Sequence, residues 1–395
     1  MEFGGSMKKV LLRAPVLSKS GYGVHARQIA RWLLSRPDLN VEFQILPWGD
    51  TSWEINPDSH DGLIREMMTH STDPTKNNTK YDISFQLQLP NEWDSTIANY
   101  NVGMSAMVET DKCNPGWCIA ANKMNMIIVP SKHAASCLTN SGDVTVPVHI
   151  VPEAYSDAFS KNDQNLLLPS LQTPFNFLIF GQLTGNNPNN DRKNIFYTIK
   201  WLCEAFKNDP DVGIVVKTNL GKSTKIDKRI VTQLITNVAI ESRQKNINPK
   251  IHLLHGDMSD EEVSSLYTHP QIKCLVSLTR GEGFGLPLLE AATCGLPVIV
   301  PSWSGHTDFL KHGKFIDIFY QLDNVHQTRI DNAIFMSGAK WANANEDDFK
   351  KKVLKFKNNP TIPKQWALDL KTKLLSLYSF ESISKQYSDL MKDVL

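Results

Sequence analysis

The sequence predicts an α/β chain of two doubly wound, parallel-sheet domains. Three observations carry that expectation. Short apolar runs alternate with stretches of helical periodicity from Lys8 onward, a polar, proline-bearing interval breaks the rhythm between Asp157 and Pro174, and the alternation restarts at Phe175. Strand–helix alternation favours a parallel sheet because each crossover packs a helix over a sheet face. At 395 residues the chain is too long for one ordinary core and natural for two.

In the first half, Val10 to Leu12 form a short apolar strand and Ser20-Gly-Tyr-Gly23 a turn. Val24, Ala26, Ile29, Ala30, Leu33 and Leu34 then mark one face of a helix. Strands are expected at 41–46, 83–87 and 99–108, then a helix at 115–122 and a strand at 126–129. Ser131 should cap a helix running to Leu138, and 149–151 is the last strand of this half. In the second half, strands at 175–180, 213–216, 251–254, 274–278 and 297–300 alternate with helices, one of them at 195–206. From Phe349 to Leu395, lysines interleave with apolar residues as in solvated amphipathic helices. The divisions expected are 7–170, 171–375 and a terminal helix at 376–395.

A hydrophobic content of 41% and a charged content of 21% describe a globular enzyme. The formal charge of +1 gives no overall electrostatic footprint for nucleic acid or an anionic membrane. Six scattered cysteines read as free buried thiols in a reducing compartment. No apolar run approaches a membrane span and no secretory leader is visible, so a cytoplasmic location is expected. Met1 to Ser6, ahead of Met7, reads as a vector remnant outside the fold.

The most informative segment is Arg280-Gly-Glu-Gly-Phe-Gly-Leu-Pro-Leu-Leu-Glu290. A strand should feed a glycine-rich turn and then a helix whose first turn suits Pro287. Backbone amides at Gly283, Phe284, Gly285 and Leu286, aided by the helix dipole, would make an anion site for a diphosphate. Glu282 in the loop and Glu290 a turn inside the helix can each accept hydrogen bonds from vicinal sugar hydroxyls. On spacing alone, an ordinary loop with surface glutamates stays open.

A departing diphosphate needs a cation or fixed donors. No D-x-D metal motif stands at a strand end, so no metal is assigned and cationic side chains take that part. Lys193, in Asp191-Arg-Lys-Asn194, follows a Gly/Asn-rich loop and is the first candidate, with Lys217 at a strand end similarly placed. His25, next to the glycine turn, is a catalytic candidate, whereas His133, His255 and His306 read as structural, although Trp303-Ser-Gly-His-Thr-Asp308 is a strand-end loop that would approach the donor.

Glu282 and Glu290 within G-E-G-F-G-L-P-L-L-E resemble the signature of the retaining GT-B glycosyltransferase family headed by sucrose and mannosyl transferases, glycosyltransferase family 4. The resemblance implies two Rossmann-like domains facing a cleft, the donor bound mainly by the second, and a terminal helix crossing back to the first. It implies transfer of a sugar from a nucleoside-diphosphate sugar, as co-substrate without a cofactor, to an acceptor hydroxyl with retention.

Ser20-Gly-Tyr-Gly-Val-His-Ala-Arg27 resembles the family's glycine loop, which implies that Gly21 and Gly23 face the donor. Val108-Glu-Thr-Asp111 resembles its interdomain-facing loop, with Glu109 standing where many relatives carry histidine. Phe180-Gly-Gln-Leu183 and Asp191 to Asn194 resemble the diphosphate-binding strand end and loop. Gln182 stands where relatives commonly carry arginine, which places the charge on Lys193 with Arg192 or Lys217 assisting.

The acceptor expected is a glycan or a lipid. The alternative is hydroxymethylated cytosine in phage DNA, with Trp48, Trp53, Trp93 and Trp117 as stacking surfaces and the Lys76–Lys80 stretch meeting phosphates. Rival functions are a phosphorylase or epimerase on the same fold, and a non-catalytic sugar-nucleotide sensor. Oligomeric state is not legible.

Overall fold

The computed structural model describes residues 7–77, 79–161, 170–185, 187–243 and 246–395. The leader Met1 to Ser6, the middle of the expected linker and Asn78 of the Lys76–Lys80 stretch lie outside the described residues. The chain divides into two compact units. The first holds residues up to Val108, Lys112–Ala154 and Phe380–Leu395, and the second holds Glu109–Asp111 and Tyr155–Ser379.

Unit one is built from β1 (Lys8–Ala14), α1 (Gly21–Leu34), β2 (Leu39–Ile45), α2 (Leu63–Thr69), the single turn α3 (Pro74–Asn77), β3 (Tyr81–Leu87), β4 (Ala98–Met104), α4 (Pro115–Ala121), β5 (Met126–Val129), α5 (Lys132–Thr139) and β6 (Val148–Ile150). Its six strands lie in the order β2-β1-β3-β4-β5-β6, all parallel. Two sequence expectations are corrected. Ser20-Gly-Tyr-Gly23 is not a free turn, because Ser20 caps α1 through its Oγ on Gly23 N–H and the helix begins at Gly21. The strand expected at 99–108 stops at Met104, where Ser105 Oγ accepts Met107 N–H and Met107 takes a φ of +59°.

Unit two contains β7 (Phe175–Phe180), α6 (Ile195–Ala205), β8 (Val212–Thr218), α7 (Lys225–Arg243), β9 (Lys250–His255), α8 (Asp260–Thr268), β10 (Ile272–Val276), α9 (Leu286–Thr293), β11 (Val298–Pro301), α10 (Thr307–Leu310) and β12 (Ile316–Ile318). An antiparallel hairpin of β13 (Tyr320–Asn324) and β14 (Lys340–Ala344) follows, then α11 (Glu346–Asn358) and α12 (Thr361–Leu377). The terminal α13 (Phe380–Leu390) belongs to unit one.

The sheet order of unit two, β12-β11-β10-β7-β8-β9, is the doubly wound order with its reversal between β7 and β10. Phe175-Asn-Phe-Leu-Ile-Phe180 is almost wholly apolar because helices cover both faces of a central parallel strand. Phe177, Ile214, Val276, Phe349 and Phe356 form its fully buried centre. Crevices in such sheets open outside the carboxyl ends of the strands at the reversal, which singles out the loops after β7 and β10. All six cysteines are buried thiols outside any disulfide. Among the described residues no helix is long and apolar enough to cross a membrane.

Candidate active site

The two loops at that reversal meet through charge. After β7 the chain runs to Asp191, whose carboxylate holds the loop in shape by accepting from Thr184 Oγ1 at 3.0 Å and from Ile195 N–H at 2.6 Å. Asn194 caps the start of α6 with a left-handed φ of +57°, directly after Arg192 and Lys193. After β10 comes Gly281, and a Cβ there would lie 2.1 Å from the Glu109 carbonyl oxygen. Only glycine permits that approach, so Glu109 is held beside the loop by backbone contact.

Lys193 Nζ donates to both carboxylate oxygens of Glu282, at 2.8 Å each. Arg192 Nη1 donates to the Gly281 carbonyl at 2.9 Å and lies 3.5 Å from Glu282 Oε2, while its Nη2 lies 3.3 Å from Glu109 Oε1. Burial alone would raise the Glu282 carboxyl, but Lys193 and Arg192 outweigh it and hold the group at about 2. Glu282 is therefore ionised at neutral pH although only 7% exposed. Burial lowers Lys193 from its ordinary value, opposed by Glu282.

Ser304 and His306, in the loop after β11, fix the Glu282 backbone. Glu282 N–H donates to Ser304 Oγ at 2.9 Å, Ser304 Oγ lies 3.4 Å from His306 Nδ1, and His306 Nε2 lies 2.7 Å from the Pro301 carbonyl. A carbonyl only accepts, so Nε2 carries the proton and Nδ1 accepts from the serine. Burial lowers the His306 pKa and keeps the ring neutral, as this wiring needs. Arg280 braces the other side by donating to the carbonyls of Pro188, Asn189 and Asp191 and to Asn343 Oδ1.

The helix α9 begins at Leu286 with Pro287 in its first turn and Gly285 at a φ of +104° as its cap. Lys193, Ser277, Glu282, Gly285 and Pro287 line a small crevice at this point. Phe284 points into the apolar interior, against Phe309 at 5.3 Å. Glu290 sits a turn inside α9 and takes a 3.4 Å hydrogen bond from Tyr267 Oη. Burial and the like charge of Asp260 push it up to about 8.

Of the residues singled out from sequence, Glu282, Lys193, Arg192, Glu109, Gly283, Gly285, Leu286 and Glu290 therefore lie along one loop-and-helix corner of unit two. Lys217 is in the same unit but turned inward, with Nζ on Asn219 Oδ1 at 2.8 Å and on the Gly256 carbonyl at 2.7 Å. Gly21, Gly23 and His25 lie in unit one. Gly23 has a structural reason, since a Cβ there would lie 1.8 Å from the Ser18 carbonyl oxygen, whereas one at Gly21 would meet open space. His25 is only 3% exposed, with Nε2 3.2 Å from Tyr387 Oη of α13 and Nδ1 3.8 Å from Glu153, and burial drops its pKa to about 3. It packs α1 on α13 as a neutral ring. From sequence, Arg280 stands at the head of the motif and Ser304 and His306 lie in the 303–308 strand-end loop expected to approach the donor, but none of the three side chains had a role assigned. Among the described residues no group of three or more His, Cys, Asp or Glu side chains is arranged to hold a metal.

Residues 238–368, which include Glu282, α9 and Glu290 but not Glu109, Arg192 or Lys193, match the family described as Glycosyl transferases group 1. No curated protein matches the chain. Among solved structures it is similar to sucrose-phosphate synthase from Thermosynechococcus elongatus, with 13% identity, a TM-score of 0.62, and 98% of this chain and 99% of that one covered. It is similar to a glycosyltransferase from Rickettsia africae, with 12% identity, a TM-score of 0.63 and 99% of each chain covered. It is also similar to Anabaena HepE in complex with UDP and glucose, with 14% identity, a TM-score of 0.54, and 98% of this chain and 100% of that one covered. At such identities the likeness speaks to the fold alone, which is the GT-B fold of two doubly wound, Rossmann-like units.

Proposed function

We propose that the chain is a retaining glycosyltransferase that moves a sugar from a nucleoside-diphosphate sugar to an acceptor hydroxyl. The observation that carries the reading is the pair Lys193–Glu282 at the mouth of α9, where the sheet order reverses and a group 1 glycosyltransferase match runs through the loop. In this reading the diphosphate lies against the start of α9 and takes Lys193 Nζ from Glu282. The released carboxylate then accepts hydroxyls of the transferred sugar. The bond from the anomeric carbon to the phosphate oxygen breaks as the acceptor oxygen attacks from the same face. The acceptor proton passes to the departing phosphate oxygen, so charge and atoms balance without a dedicated protein base. Glu290 accepts the ribose hydroxyls.

The test is release of nucleoside diphosphate from a panel of donors, matched to sugar on a panel of glycan, lipid and hydroxymethylcytosine-DNA acceptors. One diphosphate per sugar transferred, the anomeric configuration kept, and activity surviving EDTA are the expected results, because Lys193 and helix amides carry the leaving charge. Inversion at the anomeric carbon, or complete loss in EDTA restored by Mg²⁺, contradicts the mechanism. Nucleotide binding with no transfer to any acceptor favours a sensor. The acceptor expected is a glycan or lipid, with the DNA arm as the alternative.

Glu290→Ala should raise the donor KM about 10-fold with a smaller change in kcat, because ribose contacts are shared by ground and transition states. A carboxyl held at about 8 also ionises as pH rises from 7 to 9, so donor KM should fall over that range. Lys217, lowered to about 8 by burial, titrates there too, so Glu290→Gln is the comparator and should lose the trend. An unchanged KM with collapsed kcat would reverse the roles of the two glutamates.

A further inference from the structure

The hairpin β13–β14 brings one more cation to this corner. Its strand β14 is clipped to both segments that flank the site. Ala342 N–H donates to the Arg280 carbonyl at 2.9 Å, Lys340 N–H donates to Asp111 Oδ1 at 2.6 Å, and Asp111 N–H donates to the Lys340 carbonyl at 3.0 Å. From there a stack of flat groups leads to the hairpin's tip. The Arg280 guanidinium lies 5.0 Å from the Trp341 ring centre, Trp341 packs edge-on to Phe335 at 6.1 Å, and the Arg329 guanidinium covers Phe335 at 4.3 Å. Trp341 and Phe335 are buried, so the stack is a fixed wall.

Arg329 has no ion-pair partner among the described residues, and its Nε is buried without a hydrogen bond. The carboxylate next along the chain is engaged elsewhere, because Asp331 Oδ1 accepts the N–H groups of Ala333, Ile334 and Phe335. The charges that act on Arg329 are Arg192 and then the carboxylates of Asp331, Glu109 and Asp191. Burial first, and then the like charge of Arg192, pull its guanidinium below the ordinary value. A guanidinium that feels the like charge of a second guanidinium, with no carboxylate in ion-pair contact, is an arrangement that an incoming oxyanion would relieve.

The charge count points the same way. A diphosphate brings more than one negative charge, yet Lys193 is bound to Glu282, Arg192 to Glu109 and Glu282, and Lys217 is turned inward. Among the described residues Arg280 and Arg329 are the guanidiniums near this corner with no carboxylate in contact, and Arg280 is already occupied by three backbone carbonyls and Asn343. Stacking on Phe335 leaves the planar fork's edge for bidentate contact with a phosphate.

We infer that Arg329, carried by the β13–β14 hairpin, joins Arg192 in a subsite for a substrate phosphate group. The inference rests on the glycosyltransferase reading for the identity of that substrate. The phosphate comes either from the donor's diphosphate or from a phosphate on the acceptor, and the experiment separates them.

UDP, GDP and inorganic pyrophosphate are titrated calorimetrically into the full chain and into Arg329→Ala and Arg329→Lys, at several salt concentrations. Donor and acceptor KM are measured alongside. Arg329→Ala should weaken diphosphate binding at least ~10-fold and flatten its salt dependence, with Arg329→Lys intermediate because it keeps charge but loses the fork. Its unliganded melting temperature should change little, since the variant loses the stacking contact on Phe335 and the repulsion from Arg192 but no ion pair. Unchanged diphosphate binding with an acceptor KM raised about 10-fold assigns the phosphate to the acceptor. A folded Arg329→Ala protein with both quantities unchanged overturns the inference. If that variant does not fold, Arg329→Lys decides, and wild-type behaviour in it on every readout counts against the subsite. Wild-type protein that binds pyrophosphate but no nucleotide fails the glycosyltransferase reading and keeps the subsite. Protein that binds neither overturns both.

Discussion

Glu282→Ala should lower turnover at least ~100-fold while the protein stays folded, because contacts of this carboxylate with the transferred sugar strengthen as positive charge develops on the ring. The variant also frees Lys193 Nζ, which both oxygens of Glu282 hold in the unliganded protein. Nucleoside diphosphate should therefore bind as well as or better than in wild type while kcat collapses. That split separates loss of chemistry from loss of a folded site. A folded variant with near-normal turnover would remove Glu282 from the reaction. A diphosphate affinity that falls in step with kcat would mean that Glu282 shapes the phosphate site instead.

Lys193→Met should cost about 100- to 1,000-fold in kcat, the usual range for removing one donor aimed at developing negative charge. It has a second signature in acid. The Glu282 carboxyl is held at about 2 against burial by Lys193 and Arg192. A carboxyl so depressed contributes stability that is complete above the ordinary carboxylate range and lost as pH falls towards about 2. With Lys193 gone, Arg192 and a smaller contribution from the Thr279 hydroxyl are left to oppose burial, the folded-state value rises, and the loss begins at higher pH. Melting temperatures from pH 3 to 7 should show the variant's acid limb displaced upward, with lower stability at neutral pH as well. An unmoved acid limb would mean that Lys193 does not hold the Glu282 charge.

Much of this is written locally in the chain. The strands at Phe175–Phe180 and Met126–Val129 fall where their apolar runs place them, because each is covered on both faces and has little reason to alternate. The start of α9 is legible in Gly285-Leu-Pro, where the glycine takes the left-handed cap and proline needs no donor. The hairpin is not legible. Tyr320–Asn324 is largely exposed and polar, and its small apolar cluster of Val325, Phe335, Ala339 and Trp341 is assembled by contacts the local period does not encode. Arg329 is hidden with it. The bracket Ser304–His306 is hidden for a related reason, as the amide it holds lies 22 residues upstream. The glycine-bearing segment at Ser20 misleads in the opposite direction, since a serine that could begin a turn instead caps a helix.

The most direct measurement is an experimental structure with nucleoside diphosphate bound. The β-phosphate is expected within hydrogen-bonding distance of Lys193 Nζ and the first-turn amides of α9, with the Lys193–Glu282 contact broken and the ribose hydroxyls on Glu290. A nucleotide lodged elsewhere, with Lys193 still bound to both oxygens of Glu282, would contradict that placement.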